Sequence, residues 1–122
     1  MENKKLKAFI SVPMKNRTQQ EIMEDIATME EAAHKVNPVV EFVSTIVKET
    51  PPYNSNKQSI WYLGKSLEIL SQCDIVVCKK ELDPIYSGCI IEKEVAKRYC
   101  LQVIELMDTD EIYEDDFNSE GI

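Results

Sequence analysis

Short continuous apolar runs alternate along the chain with longer stretches in which apolar residues recur every three or four positions. Leu6-Lys7-Ala8-Phe9-Ile10-Ser11-Val12 is rich in strand formers and is stopped by Pro13, which predicts a first, central strand. Met14 to Arg17 reads as a loop. Thr18-Gln19-Gln20-Glu21 has the capping-box form, in which a hydroxyl and a carboxylate satisfy orphan amides at a helix start. Ile22, Ile26, Met29, Ala33 and Val36 follow at helical spacing, so a helix is predicted from Thr18 to Val36, ending before Asn37-Pro38. Val39 to Val47 is the next strand candidate, of which only part needs a paired neighbour, and Lys48 to Lys57 is a loop holding Pro51-Pro52. A second helix fits Ser59 to Ser71, with Ile60, Leu63, Leu67 and Leu70 on one face. Gly64 inside it weakens the helix by about 1 kcal/mol relative to Ala, and predicts the close approach of another group.

Asp74-Ile75-Val76-Val77-Cys78 is a continuous apolar run, the form taken by a strand buried on both faces of a parallel sheet. Lys79 to Tyr86 is its exit loop, Ser87-Gly88 opens a third helix reaching about Tyr99, and Leu101 to Leu106 forms the last strand. The order β-α-β-α-β-α-β predicts an α/β fold: a single doubly wound, Rossmann- or flavodoxin-like domain with a parallel sheet of about four to five strands and flanking helices. That domain takes in residues 1–107, and an acidic tail occupies 108–122.

The balance of 43% hydrophobic and 30% charged residues is globular, and no apolar run approaches the roughly 20 residues that cross a bilayer. No secretion signal is visible, which makes the cytoplasm the expected compartment and excludes the membrane as a partner. A formal net charge of −8 argues against polymeric nucleic acid, whose backbone requires clustered Lys and Arg. The acids are concentrated from Asp108 to Glu120 and the first seventeen residues are basic, so a local anion site near the N-terminus is compatible with the average. Cys73, Cys78, Cys89 and Cys100 match no metal or redox spacing and read as buried reduced thiols.

In open parallel sheets ligands bind where the carboxyl ends of strands meet helix N-termini. Two segments have that place. Ser11 to Thr18 offers a hydroxyl, the cations Lys15 and Arg17 and a helix start, suited to a phosphate or carboxylate; its plainer reading is solvated loop cations beside a helix cap. In Tyr86-Ser87-Gly88-Cys89-Ile90-Ile91-Glu92-Lys93-Glu94, Ser87 can cap the helix, Gly88 lets a ligand approach the backbone, and Glu92 falls in about the first turn. The helix dipole would keep a carboxylate there ionised, as a nucleophile requires; its plainer reading is a first-turn Glu that compensates that dipole. Glu94 is placed to pair with Arg98, and His34, the only histidine, reads as a surface residue, so no Ser-His-Asp arrangement exists.

Phe9 to Ile22, Trp61 to Leu70 and Gly88 to Glu94 together resemble a small family common in phages and prophages, itself similar to the nucleoside 2-deoxyribosyltransferase superfamily. The likeness spans about Lys7 to Leu106. In the enzymes a Gly-x-Gly-x-Glu-like helix start carries the nucleophile; Gly88 matches the first glycine, Ile90 replaces the second, and Glu92 matches the nucleophile. The resemblance implies attack by Glu92 on the anomeric carbon of a nucleoside or nucleotide, giving a glycosyl-enzyme that passes to another base or to water, with no cofactor or metal. It implies that Ser11, Met14, Arg17, Ser66, Ser87 and Gly88 contact sugar or phosphate, that Tyr62 or Trp61 stacks on a base, and that the chain works as a homodimer or higher homo-oligomer. Where the transferases have an acid six positions before the nucleophile this chain has Tyr86, with Asp83 displaced and Ser66 at another acidic position, so the proton donor to the leaving base is unassigned. Two alternatives therefore stand beside the enzyme: a catalytically inactive protein that binds or sequesters a nucleotide signal, and an interaction protein using the acidic tail with Tyr113 and Phe117.

Overall fold

The alternating signals become, in a computed structural model that describes residues 5–52 and 56–107, the order β1 (Leu6–Ile10), α1 (Gln19–Val36), β2 (Val40–Phe42), α2 (Gln58–Leu70), β3 (Ile75–Lys79), α3 (Ser87–Arg98) and β4 (Gln102–Leu106). The expected acidic tail, with Tyr113 and Phe117, lies outside the described residues. The four strands form one parallel sheet in the order β2-β1-β3-β4, with Ala8 opposite Ile75 and Ile10 opposite Val77 across the central pair. This is the doubly wound α/β architecture that the alternation predicts.

Side chains alternate across a strand, and both faces of the sheet are covered. Ala8, Ile10, Ile75, Val77 and Ile104 face Met29 and Ala33 of α1. Phe9, Val76 and Cys78 face the other way, onto Leu70 of α2 and Ala96 of α3. Two covered faces explain why Ile75 to Cys78 is an unbroken apolar run. The path from β1 through α1 leads outward to β2, and that from β3 through α3 leads the opposite way to β4. The winding reverses between β1 and β3, and the crevice at their carboxyl ends is where such sheets bind ligands.

Thr18 caps α1 as its sequence predicts: its hydroxyl accepts from the Glu21 N–H at 3.1 Å, and the Glu21 carboxylate accepts from the Thr18 N–H at 2.9 Å. Other expectations are corrected. β1 ends at Ile10 rather than Val12, although Ser11 to Pro13 stay buried and the Ser11 N–H still donates to the Val77 carbonyl at 2.8 Å. β2, as expected, pairs over only part of its candidate run, three residues. Ile60, expected on the inward face of α2, is 66% exposed because it lies in the first turn, beyond the edge of the core. Gly64 is not a point of close approach, since no atom lies within 4 Å of where its Cβ would stand. Cys100 is exposed, not buried, at a positive φ of 63° between α3 and β4. Among the described residues no helix is long and apolar enough to cross a membrane.

Candidate functional site

Three elements deliver one side chain each to the crevice. Ser11 stands two residues after Phe9 and therefore points to the same face of the sheet, toward α2 and α3. Glu92 lies on the inward side of α3, between buried Cys89 and Ala96. Ser66 sits one turn before buried Leu70 on α2. The Ser11 hydroxyl donates to Glu92 Oε1 at 2.7 Å, and the Ser66 hydroxyl donates to Oε2 at 2.6 Å.

Glu92 is only 8% exposed, and it is the one charged side chain in the buried class among the described residues. Carboxylates are rarely buried without a cation; here the partners are two neutral hydroxyls. Burial raises the pKa of Glu92 above the ordinary carboxylate value, opposed by the hydrogen bonds from Ser66 and then Ser11. A desolvated carboxylate held in this way at the end of a sheet is a group placed at an energetic cost, the usual mark of a functional position.

This differs from the expected account of Glu92. α3 begins at Ser87, so Glu92 is its sixth residue, past the first turn where the helix dipole acts most strongly. The interactions that favour the ionised carboxylate against burial are the hydrogen bonds from Ser66 and Ser11, not the dipole. Ser87 is not the cap either: Tyr86 holds the N-cap position, with no side-chain cap bond, and Ser87 is the exposed first residue of the helix. Gly88 is one turn before Glu92, and nothing lies within 4 Å of its would-be Cβ. Tyr62, one turn before Ser66, is 38% exposed. Trp61 packs edge-on to Tyr62 with centroids 5.1 Å apart and carries the Lys65 ammonium 5.6 Å from its ring, so the helix itself covers it. Met14 is exposed in the loop after β1.

The expected anion loop is divided between the two faces of the sheet. Arg17 Nη1 donates to the Pro13 carbonyl and to Asp25 Oδ2, both at 2.9 Å, and Lys79 Nζ lies 3.1 Å from Asp25 Oδ1. Asp25 belongs to α1, across the sheet from Glu92, so Arg17 is committed to that layer while Ser11 turns to the other. Lys15 is exposed and His34, as expected, is at the surface, its ring centroid 4.9 Å from that of Phe42 in an edge-on contact. Glu94 pairs with Arg98 at 2.6 Å.

Sequence reasoning missed what the serines do for Glu92, because the bonds join residues 81 and 26 positions apart. It also missed Asp25, although an acid among Ile22, Ile26 and Met29 on the apolar side of α1 was a readable signal. Two surface hollows, one of about 240 Å³ by Arg17 and Asp25 and one of about 260 Å³ between Lys80 and Lys93, both lie away from Glu92. Among the described residues no three His, Cys, Asp or Glu side chains cluster as a metal site would require. Comparison with known proteins finds no match: no family model, curated protein or solved structure is significantly similar to this chain.

Proposed function

We propose that the protein is an N-glycosidic enzyme acting on a nucleoside or nucleotide, a 2-deoxyribosyltransferase or N-glycosidase, with Glu92 as nucleophile. The observation that supports this reading is the Glu92 carboxylate itself, buried without a cation and held by two hydroxyls where the sheet reverses its winding. A glycosidic centre develops positive charge as its C–N bond lengthens, and a desolvated carboxylate stabilises that charge far better than a hydrated one. Glu92 then forms the bond to the anomeric carbon while the base leaves with the C–N electron pair and takes up a proton. A second base or water attacks the same carbon and frees the carboxylate. In this reading Gly88, Ser87, Met14 and Tyr62 border the opening that receives the sugar and base, no cofactor takes part, and the working unit is a homo-oligomer.

One observation favours the alternative of a nucleotide-binding protein without turnover. Asp83, the nearest acid in the exit loop of β3, accepts from the Ile85 N–H at 3.0 Å and is thereby fixed in its own turn, away from a role as proton donor. Chromatography of a panel of nucleosides and nucleoside monophosphates, incubated with wild type and Glu92→Gln, separates the two. Free base or exchanged nucleoside from wild type alone supports the enzyme. An intact panel with calorimetric binding of one member supports the binder, and an intact panel without binding removes both.

A further inference from the structure

The hollow of about 260 Å³ beside α3 is lined by Lys80, Leu82, Ile90, Lys93, Glu94 and Lys97. Leu82 is half-buried and Ile90 is 40% exposed, so apolar surface meets solvent there. Three ammonium groups surround it. Lys93 spends its protons on Glu105 and on the carbonyls of Lys79 and Lys80, whereas Lys97 reaches Glu105 only at 3.5 Å and is 54% exposed, and Lys80 is exposed. The Glu105 carboxylate thus answers two cations at once, and Glu94 is taken by Arg98. Positive charge is left over beside an apolar surface, on a chain whose net charge is −8. Small-molecule sites begin at roughly 300 Å³; a smaller hollow of this kind suits an aromatic side chain flanked by acids.

The end of the same chain has that chemistry. Residues 108–120 hold seven acids and no Lys or Arg, with Ile112, Tyr113 and Phe117 set among them. The Lys80 N–H donates to the Leu106 carbonyl at 2.8 Å, so the chain leaves β4 beside a residue of the hollow. Tyr113 lies six positions beyond Met107, a reach of about 20 Å at full extension, and a helix with its side chains is only about 10–12 Å across. A tether this short gives the tail an effective concentration on the order of millimolar at the hollow, enough to hold a contact of small area. We propose that residues 108–120 dock onto this hollow of their own chain, Tyr113 or Phe117 lying against Leu82 and Ile90 while the neighbouring carboxylates face Lys80 and Lys97. The acidic tail is then a cover for the outer side of α3 rather than a free arm for other proteins. The hollow lies away from Glu92, so the docking stands independently of the glycosidic reading. Its ion pairs are exposed, and salt weakens it.

The test is the rate of chymotryptic cleavage after Tyr113 and Phe117 in the full chain, followed by mass spectrometry at low and high salt and scaled to the rate for a free peptide of residues 108–120. It compares wild type with Lys80→Gln/Lys97→Gln and with Ile90→Asp, an exposed position that tolerates the change should the double variant fail to fold. Wild type is expected to be cut more slowly than the peptide at low salt. Each variant is expected to be cut about fivefold faster than wild type, the scale of two exposed ion pairs or of one lost apolar contact, and high salt to bring wild type toward the double variant. In wild type, nuclear Overhauser contacts are expected between the Ile90 methyl protons and the ring protons of Tyr113 or Phe117. Equal scaled rates in wild type, variants and peptide would overturn the docking, and protection without those contacts would overturn its place. Protection that grows with protein concentration would assign the tail to a second copy and overturn the docking within one chain.

Discussion

Lys93 Nζ lies 2.7 Å from Glu105 Oε2 and also donates to the main-chain carbonyls of Lys80 and Lys79, at 2.9 and 3.3 Å. One ammonium on α3 thus uses its three protons to close the exit of β3 against β4. The hydrogen bond from Lys93 is the largest cause holding the Glu105 carboxyl below its ordinary value. A carboxyl lowered in the folded state adds stability above its unfolded value, and that stability is lost as pH falls through the folded value. Lys93→Met is therefore expected to cost about 2 kcal/mol at neutral pH, with the gap to wild type narrowing in acid. Urea denaturation at both pH values checks this, and a gap that does not change with pH would show that Glu105 is not the partner that matters.

Arg17 was expected to hold a ligand anion, but its guanidinium is bonded to Asp25 and to the Pro13 carbonyl. Arg17→Ala should then act on the fold rather than on binding. A loss of about 1–2 kcal/mol is expected, with nucleotide affinity within about twofold of wild type. A tenfold loss of affinity at unchanged stability would return Arg17 to the ligand site.

The fold was legible because each element carries a local signal. Thr18-Gln19-Gln20-Glu21 announced α1, and Ile75 to Cys78 announced a strand covered on both faces. Glu92 was legible as a position, through its place after β3, but not as an environment. Whether its carboxylate faced water, a dipole or two hydroxyls depended on Ser11 and Ser66 arriving from β1 and α2, which no local pattern encodes. The division of the loop after β1 was hidden for a similar reason: Ser11 and Arg17 are close in sequence, yet the sheet lies between their partners.

The cysteines give a test of burial that needs no ligand. Cys73, Cys78 and Cys89 are buried, and desolvation pushes each thiol up to about 11. A buried thiol that stays protonated is a poor nucleophile. Cys100 is exposed in the turn between α3 and β4. With a disulfide reagent at neutral pH, one thiol per chain is expected to react quickly in the native protein and all four after unfolding. Fast reaction of a second thiol would mean that the layer of α2 and α3 opens readily from the sheet.

Glu92→Gln tests the energetic side of that site, separately from any chemistry. A carboxyl raised in the folded state contributes stability that is full below its unfolded value and is lost as pH rises through the folded value. At neutral pH the wild-type fold therefore carries the cost of burying a carboxyl that the unfolded chain ionises freely, a cost that two hydroxyls reduce. Glutamine removes the charge and keeps the shape, and the hydroxyls of Ser11 and Ser66 can turn to suit an amide. The variant is expected to be more stable than wild type by about 1 kcal/mol at neutral pH, in line with the trade between stability and function at such sites. The difference should vanish in acid, where the wild-type carboxyl is itself neutral, and thermal or urea unfolding across the pH range measures it. A variant less stable than wild type at neutral pH would mean that the two serines more than offset the burial, making Glu92 a structural anchor rather than a group held in readiness.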